Sequence, residues 1–124
     1  MNPSASSRRK TGLCIAYGTA PSRLLADRIA REAVDSGVAA CAHRLPRIRS
    51  VYRWKGRVES SWEYPLLFKL RADRLGRLTA LFVRSHPYEC PGLASWPIEG
   101  GYAPFLDWIR NPCSDALDVN ACAR

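Results

Sequence analysis

The segment from residue 47 to residue 57 limits the possible folds more than any other part of the chain, because its side chains alternate in character. One parity contains Arg47, Arg49, Val51, Arg53, Lys55 and Arg57, and the other contains Ile48, Ser50, Tyr52 and Trp54. Successive side chains of a strand point to opposite faces. The segment therefore predicts a strand with one strongly basic face and one aromatic face.

A strand of this kind is hard to bury on both sides within one small domain. Its basic groups cannot all be removed from water without partners, and Tyr, Trp and Arg are the residues enriched at interface hot spots. Gly56 predicts the turn into the next strand. We therefore expect a hairpin that projects partly from its own domain and is covered by another subunit.

Composition and charge narrow the class of protein. The 124 residues are 47% hydrophobic and 24% charged, as expected for one globular domain, and no apolar run approaches the ~20 residues of a membrane span. The formal net charge is +8, and residues 1–57 carry 12 basic against 3 acidic side chains. Most of the basic residues are arginine, which pairs bidentately with carboxylate or phosphate. The interpretation of these arginines as a surface that binds anions or nucleic acid therefore stays open. The favoured interpretation is that they pair with groups of neighbouring subunits.

The cysteines indicate a reducing compartment. Their number is odd and no C-x-x-C pair occurs; they are Cys14, Cys41, Cys90, Cys113 and Cys122. Scattered cysteines of this kind are typical of reduced thiols, so we expect a cytoplasmic protein without membrane association. Residues 1–11 are expected to form a disordered tail, residues 12–110 the folded domain, and residues 111–124 a flexible tail.

The first third of the chain predicts a strand followed by a helix. Residues 12–19 form a short apolar run, and Pro21 and Ser22 then open a segment with apolar residues at i, i+4 and i+8. Gly37 is expected to end this helix, since a left-handed cap favours glycine.

Two more strands are predicted in the middle of the chain. The first of them begins at residues 38–41 and is interrupted by Pro46. The second spans residues 58–71, where Pro65 lacks a backbone donor and indicates an edge or a bulge.

The last third predicts helix, strand and helix. Asp73 is expected to cap a helix that ends near Ser85, because the residue before Pro87 disfavours helix. A strand over residues 91–98 and a short helix with Pro104 in its first turn follow. The order βαββαβ plus a helix predicts an α+β, ferredoxin-like sandwich, in which a four-stranded antiparallel sheet carries two helices on one face.

The sequence offers few groups for chemistry. No nucleophile–base set stands out, and residues 62–71 lack the basic–Gly–aromatic signature of RNA-recognition motifs. Two clusters suit copper or zinc, because they combine imidazole with thiolate: Cys41 with His43, and His86 with Glu89 and Cys90. The alternative for both is structural, with Cys41 in the sheet core and His86 hydrogen-bonded at a helix end.

Several motifs together resemble one known family. They are Ala39-Ala40-Cys41, Ser50-Val51-Tyr52-Arg53-Trp54-Lys55-Gly56, Lys69, His86-Pro87-Tyr88-Glu89, Pro91, Pro97-Ile98 and Trp108-Ile109. This set resembles the CutA family of divalent-cation tolerance proteins over residues 12–110. The resemblance implies a non-enzymatic homotrimer of ferredoxin-like subunits, assembled like the PII signalling proteins, in which long strands pair across subunits.

The resemblance also implies a site. Some family members bind copper through a cysteine before Thr-Ala-Pro and two histidines before Pro-Tyr; these positions hold Gly18, Ser85 and His86 here. A copper or other divalent cation would then use His86, with Glu89 and Cys90 as substitutes. The expected inter-subunit pocket is lined by Tyr52, Trp54, Lys69, His86, Tyr88 and Glu89. The alternatives are a PII-like scaffold that recognises a partner protein without metal and, least favoured, nucleic-acid binding through the Arg-rich strand.

Overall fold

The computed structural model describes residues 10–112. The secondary structure is β1 (Leu13–Ala20), α1 (Arg23–Asp35), β2 (Cys41–Arg44), β3 (Ile48–Trp54), β4 (Arg57–Arg71), α2 (Leu75–Ser85), β5 (Leu93–Pro97) and α3 (Ala103–Arg110). No helix in this range is both long and apolar enough to cross a bilayer. The predicted tails are residues 1–11 and 111–124, and most of each, including Cys113 and Cys122, lies outside the described residues. Of the described positions in the tails, Thr11 is buried.

The antiparallel sheet has the order β2-β4-β1-β5, and β3 pairs with β4 beyond the end of β2. Strands β2 and β3 together correspond to the single interrupted strand that the sequence predicts. The α+β, ferredoxin-like architecture with an extra C-terminal helix is therefore confirmed. The interrupted strand starts at Cys41 rather than at residue 38, because residues 38–40 are buried loop that leads out of α1.

The main core lies between α1, α2 and one face of the sheet. Alternate residues of β4 point into it, and they are joined by apolar stripes of both helices: Leu66, Phe68, Leu70, Ile29, Leu78 and Phe82. Ser22 caps α1 by accepting the Leu25 N–H, and Gly37 follows the helix with a φ of 79°, as predicted. The opposite face of the sheet carries α3, whose Leu106 and Ile109 pack with Leu13.

The predicted Asp73 cap is wrong. A 3₁₀ turn at Ala72–Arg74 precedes α2, and the α2 N-cap residue is Arg74 without a side-chain cap. The Asp73 carboxylate instead accepts two hydrogen bonds from the Arg71 guanidinium, at 3.1 and 2.7 Å. A charged hydrogen bond to arginine is stronger than a neutral bond to a backbone amide, which explains the choice of partner.

Pro65 lies opposite a bulge in its partner strand, in agreement with the predicted edge or bulge. Three residues, 45–47, separate Arg44 from Ile48, whereas only Tyr64 and Pro65 separate their partners Leu66 and Glu63. The strand continues through Pro65, which pairs with Thr19 of β1, and the Pro65 carbonyl accepts the Leu45 N–H on its other side. The N and C=O of one strand residue point the same way, so the missing N–H faces the short gap between β2 and β3. No ladder bond is lost there, which explains why proline is tolerated in a central strand.

The β3–β4 hairpin projects from the domain, as predicted, and most of its residues are exposed. Glu63 at its base is buried. Its turn is the two-residue Lys55–Gly56, with φ values of 51° and 78°, and both left-handed residues are typical of a type I′ turn. The turn places Arg57 opposite Trp54. Arg57 therefore lies on the aromatic face, and its assignment to the basic face is wrong, because parity does not continue through a two-residue turn.

Gly18 is packed too tightly for any side chain. A Cβ at this position would lie 2.7 Å from Phe82 Cζ and 2.8 Å from the Gly92 carbonyl oxygen. Gly18, where the resemblance implies a metal-binding cysteine in other members, therefore contributes to close packing of β1 against α2 and the segment before β5.

We expect Gly18→Ala to lower the free energy of unfolding by about 1–3 kcal/mol, the usual cost of overpacking. The matched control is Gly76→Ala in the first turn of α2, where a Cβ meets nothing within 4 Å and better helix propensity adds up to about 1 kcal/mol. Urea denaturation of both variants at one protein concentration measures the two effects. A Gly18→Ala protein as stable as wild type would contradict the packing argument.

Candidate functional site: an acidic, aromatic cleft beside the hairpin

A cleft of about 500 Å³ lies where the aromatic face of the hairpin meets the segment between α2 and β5. Strand β3 contributes alternate side chains, and the segment after α2 runs past them; the lining residues are Thr19, Ser50, Tyr52, Trp54, Glu63, Tyr88, Glu89, Cys90 and Gly92. Four predicted pocket residues, Tyr52, Trp54, Tyr88 and Glu89, meet in this cleft. The sequence alone also indicated Cys90, as a metal ligand.

Glu63 is the charged residue of the cleft that the sequence analysis missed. Its side chain lines the cleft although only 7% of the residue is exposed, and it lies opposite Ile48 in the hairpin. The Tyr88 hydroxyl donates to Glu63 Oε2 at 3.1 Å. Among residues 10–112, no Lys, Arg or His lies within ion-pair distance of this carboxylate. The cleft therefore contains a buried carboxylate whose partner is a neutral phenol, and a bound cation would stabilise it.

The surroundings of Tyr88 change the pKa of its hydroxyl group. Burial, followed by the hydrogen bond to Glu63 and the negative charge of Glu63, raises the pKa of Tyr88 to about 12, with a smaller contribution from Tyr52. Each of these causes disfavours the phenolate: burial removes water from the charged form, and the carboxylate repels it. Tyr88 is therefore a neutral hydrogen-bond donor at physiological pH.

His86 holds the cleft wall in place. Its Nε2–H donates to the Thr19 carbonyl at 2.7 Å, and its Nδ1 accepts the Tyr88 N–H at 3.3 Å; these bonds assign the neutral Nε2–H tautomer. His86 is 8% exposed, and its ring packs between Phe82 and Tyr88, with centroid distances of 5.1 and 4.5 Å. Both ring nitrogens are thus engaged, in agreement with the structural alternative for this histidine.

The other two predicted metal ligands are exposed. Glu89 Oε1 lies 3.7 Å from Lys55 Nζ, an exposed pair that links the cleft wall to the hairpin turn, and Cys90 is a free thiol. Within the part of the chain that the structure describes, no group of three or more His, Cys, Asp or Glu side chains could hold a metal ion. One chain alone therefore does not assemble His86, Glu89 and Cys90 into such a group, and their metal role stays a prediction.

Lys69 lies away from the cleft. It is six residues along β4 from Glu63, or ~20 Å of strand, and its Nζ contacts His43 Nε2 at 3.0 Å. The Cys41 thiol lies 3.9 Å from the same nitrogen. Cys41 and His43 thus share one face of a strand, as their spacing predicts, but they form a separate cluster with Lys69. Lys69 Nζ lies 5.8 Å from the centre of the Phe105 ring of α3.

The fold and the cleft together define a ferredoxin-like α+β protein with a projecting hairpin and an acidic, aromatic cleft at its base. A family model described as CutA1 divalent ion tolerance protein matches residues 14–112. The chain belongs to this family of divalent ion tolerance proteins.

Similar proteins agree with this assignment. The chain is 43% identical over 98 residues to a protein CutA homolog of Xenopus laevis, covering 78% of this chain and 64% of that protein. A divalent cation tolerance protein (Cut A1) of Thermus thermophilus superimposes with a TM-score of 0.77 at 34% identity, covering 79% of this chain and 95% of that one. A structure named periplasmic divalent cation tolerance protein CutA, from Archaeoglobus fulgidus, has a TM-score of 0.75 at 33% identity, covering 78% and 94%.

The vertebrate relatives are longer than the chain. The match spans 64% of the Xenopus protein and 58% of a human protein CutA that is 38% identical over 104 residues, or 83% of this chain.

The raised pKa of Tyr88 makes stability pH-dependent in alkali. The folded pKa of about 12 exceeds the ordinary value of 10.0, so the unfolded chain releases this proton first as the pH rises. The contribution of Tyr88 is therefore complete below pH ~10 and is lost between pH ~10 and ~12. Phenolate absorbance of wild type minus Tyr88→Phe should show one late-titrating tyrosine.

Glu63→Gln supplies the control for this titration. It removes the negative charge but keeps an acceptor for the Tyr88 hydroxyl, so the titration of Tyr88 should move down towards pH ~10. A difference spectrum in which Tyr88 titrates at the same pH in wild type and Glu63→Gln would exclude the carboxylate as a cause of the shift.

Proposed function

We propose that the protein is a non-enzymatic homotrimer that binds a divalent cation in the cleft, between neighbouring subunits. The observation that carries the proposal is the buried Glu63 carboxylate, which is paired with a phenol and with no cation among the described residues. Membership of the divalent ion tolerance family supports the choice of ligand. A cytoplasmic location, suggested by the free thiols Cys14 and Cys90, is part of the same proposal.

The exposed hairpin supports assembly. Strand β3 pairs with β4 and with no other described strand, so one edge of β3 presents unpaired backbone groups. Ile48, Tyr52 and Trp54 are also exposed beside this edge. An open, apolar strand edge is an aggregation hazard unless another chain pairs with it. A neighbouring subunit that adds a strand to β3 would cover the edge and close the cleft.

The donor set of the cleft suits a borderline or soft divalent ion such as copper or zinc. Glu63 and Glu89 supply carboxylates and Cys90 supplies a thiol, and thiolate ligands select such ions over Mg²⁺ or Ca²⁺. A neighbouring subunit would complete the coordination, since a single chain lacks three adjacent ligands in its described part. His86, with both nitrogens engaged, positions Tyr88 and the segment that carries Glu89 and Cys90.

The mass of the protein in solution tests the assembly. Analytical ultracentrifugation should give about three times 13.9 kDa, and Trp54→Glu should reduce the mass, because it places a charge in the covered face. Leu24→Glu is the matched control, since Leu24 is 79% exposed on the outer side of α1, and it should leave the mass unchanged. A wild-type mass of one subunit at micromolar concentration contradicts the trimer.

Calorimetric titration with Cu²⁺ and with Zn²⁺ tests the metal. Glu63→Gln and Cys90→Ser should each weaken binding at least about tenfold, within the range known for changes at metal sites. Asp35→Asn, which removes an exposed carboxylate of α1, should leave binding unchanged. A wild-type trimer that binds neither ion would overturn the metal site and favour the alternative, a PII-like scaffold that recognises a partner protein.

A further inference from the structure

The hairpin face opposite the cleft has a chemistry that cation binding does not explain. We call it the Arg–Trp face; it consists of Arg47, Arg49, Val51, Arg53, Val58, Ser60 and Trp62. The register places Arg49 opposite Trp62, Val51 opposite Ser60 and Arg53 opposite Val58. All seven residues are exposed, and the face contains no acidic side chain.

Two guanidinium groups of this face are held against one indole ring. The Cζ atoms of Arg47 and Arg49 lie 4.2 and 5.1 Å from the centre of the Trp62 ring. Arg49 Nη2 also donates to Ser60 Oγ at 2.9 Å. Stacking on tryptophan fixes both groups, so they lose little freedom when they bind an anion. Their mutual repulsion is relieved when a phosphate accepts hydrogen bonds from both.

These arginines have no carboxylate partner in the described chain. The ion pairs of residues 10–112 use Arg31, Arg44, Lys55, Arg71, Arg84 and Arg110. Arg47, Arg49 and Arg53 take part in none of them. Residues 44–57 carry six basic and no acidic side chains. The face is thus a row of three uncompensated cations along one extended strand.

We propose that the Arg–Trp face binds single-stranded nucleic acid. Three arginines spread along a strand match several consecutive phosphates rather than a single phosphate ion. Trp62, with Val51 and Val58 nearby, offers aromatic and apolar surface for bases, which an inorganic phosphate chain does not need. Backbone phosphates and stacking carry no sequence code, so binding is tolerant of sequence, in keeping with the missing RNA-recognition signature.

This inference is independent of the metal proposal. The two faces of a strand point in opposite directions, so a cation and a subunit on the cleft side leave the Arg–Trp face accessible. The sequence alone made nucleic acid the least favoured alternative. In the structure, Arg47 and Arg49 stack on Trp62 and have no carboxylate partner among the described residues. This observation favours nucleic-acid binding more than the sequence alone did.

Fluorescence anisotropy of a labelled single-stranded oligonucleotide tests the proposal. With three phosphate contacts, a plot of the logarithm of the association constant against the logarithm of the salt concentration should have a slope of about −2. Arg49→Gln should weaken binding and reduce the slope by about 0.7. Trp62→Leu should weaken binding at least about fivefold and leave the slope unchanged, because it removes stacking rather than charge.

Arg28→Gln is the matched control, since it removes one exposed cation from α1 and should leave affinity and slope unchanged. No binding at low salt, or an equal effect of Arg28→Gln and Arg49→Gln, would overturn the proposal. The proposal would also be overturned if polyphosphate displaced the oligonucleotide and Trp62→Leu left the affinity unchanged. The ligand would then be a phosphate chain without bases. The oligomeric mass of each variant is measured as well, and affinities are compared only between proteins with the mass of wild type. A variant that fails to assemble is thus recognised separately.

Discussion

The functional surfaces of this protein depend on the unbroken pleat of β4. This strand of 15 residues pairs with β1, β2 and β3, so one alternation of side chains runs through the body of the domain and out into the hairpin. One set, including Leu66 and Phe68, fills the core, and the other set includes Glu63. A slip of one residue would exchange the faces of Glu63 and Trp62, and with them the acidic cleft and the Arg–Trp face.

The same pleat separates charges of opposite sign. Glu63 lies on one side of the hairpin, whereas Arg47 and Arg49 stack on Trp62 on the other. Because the two-stranded sheet lies between them, these groups cannot neutralise each other within one chain. Each face is therefore left with an uncompensated charge, which is energetically acceptable only when water or a partner of opposite charge reaches it. This constraint is the common basis of the two proposals, a cation in the cleft and a phosphate backbone on the opposite face.

Much of the fold follows from local patterns. Strand alternation predicted the projecting hairpin, and Ser22 and Gly37 predicted the ends of the first helix. The site was only partly predictable. Tyr52 and Trp54 were found because they share a parity, but Glu63 gives no local signal: it becomes significant only when the register is counted across the Lys55–Gly56 turn, which places it opposite Ile48.

The sequence by itself determined the order of elements, the two-faced strand and the family, since these depend on backbone geometry and on residues close along the chain. Only the tertiary structure decided the partners of side chains that are distant in sequence. It directed both nitrogens of His86 to Thr19 and Tyr88, placed Lys69 beside His43, and filled the space at Gly18 with Phe82 and Gly92. The physical reason is that such contacts depend on how the sheet, helices and loops pack together, and no local pattern specifies that packing.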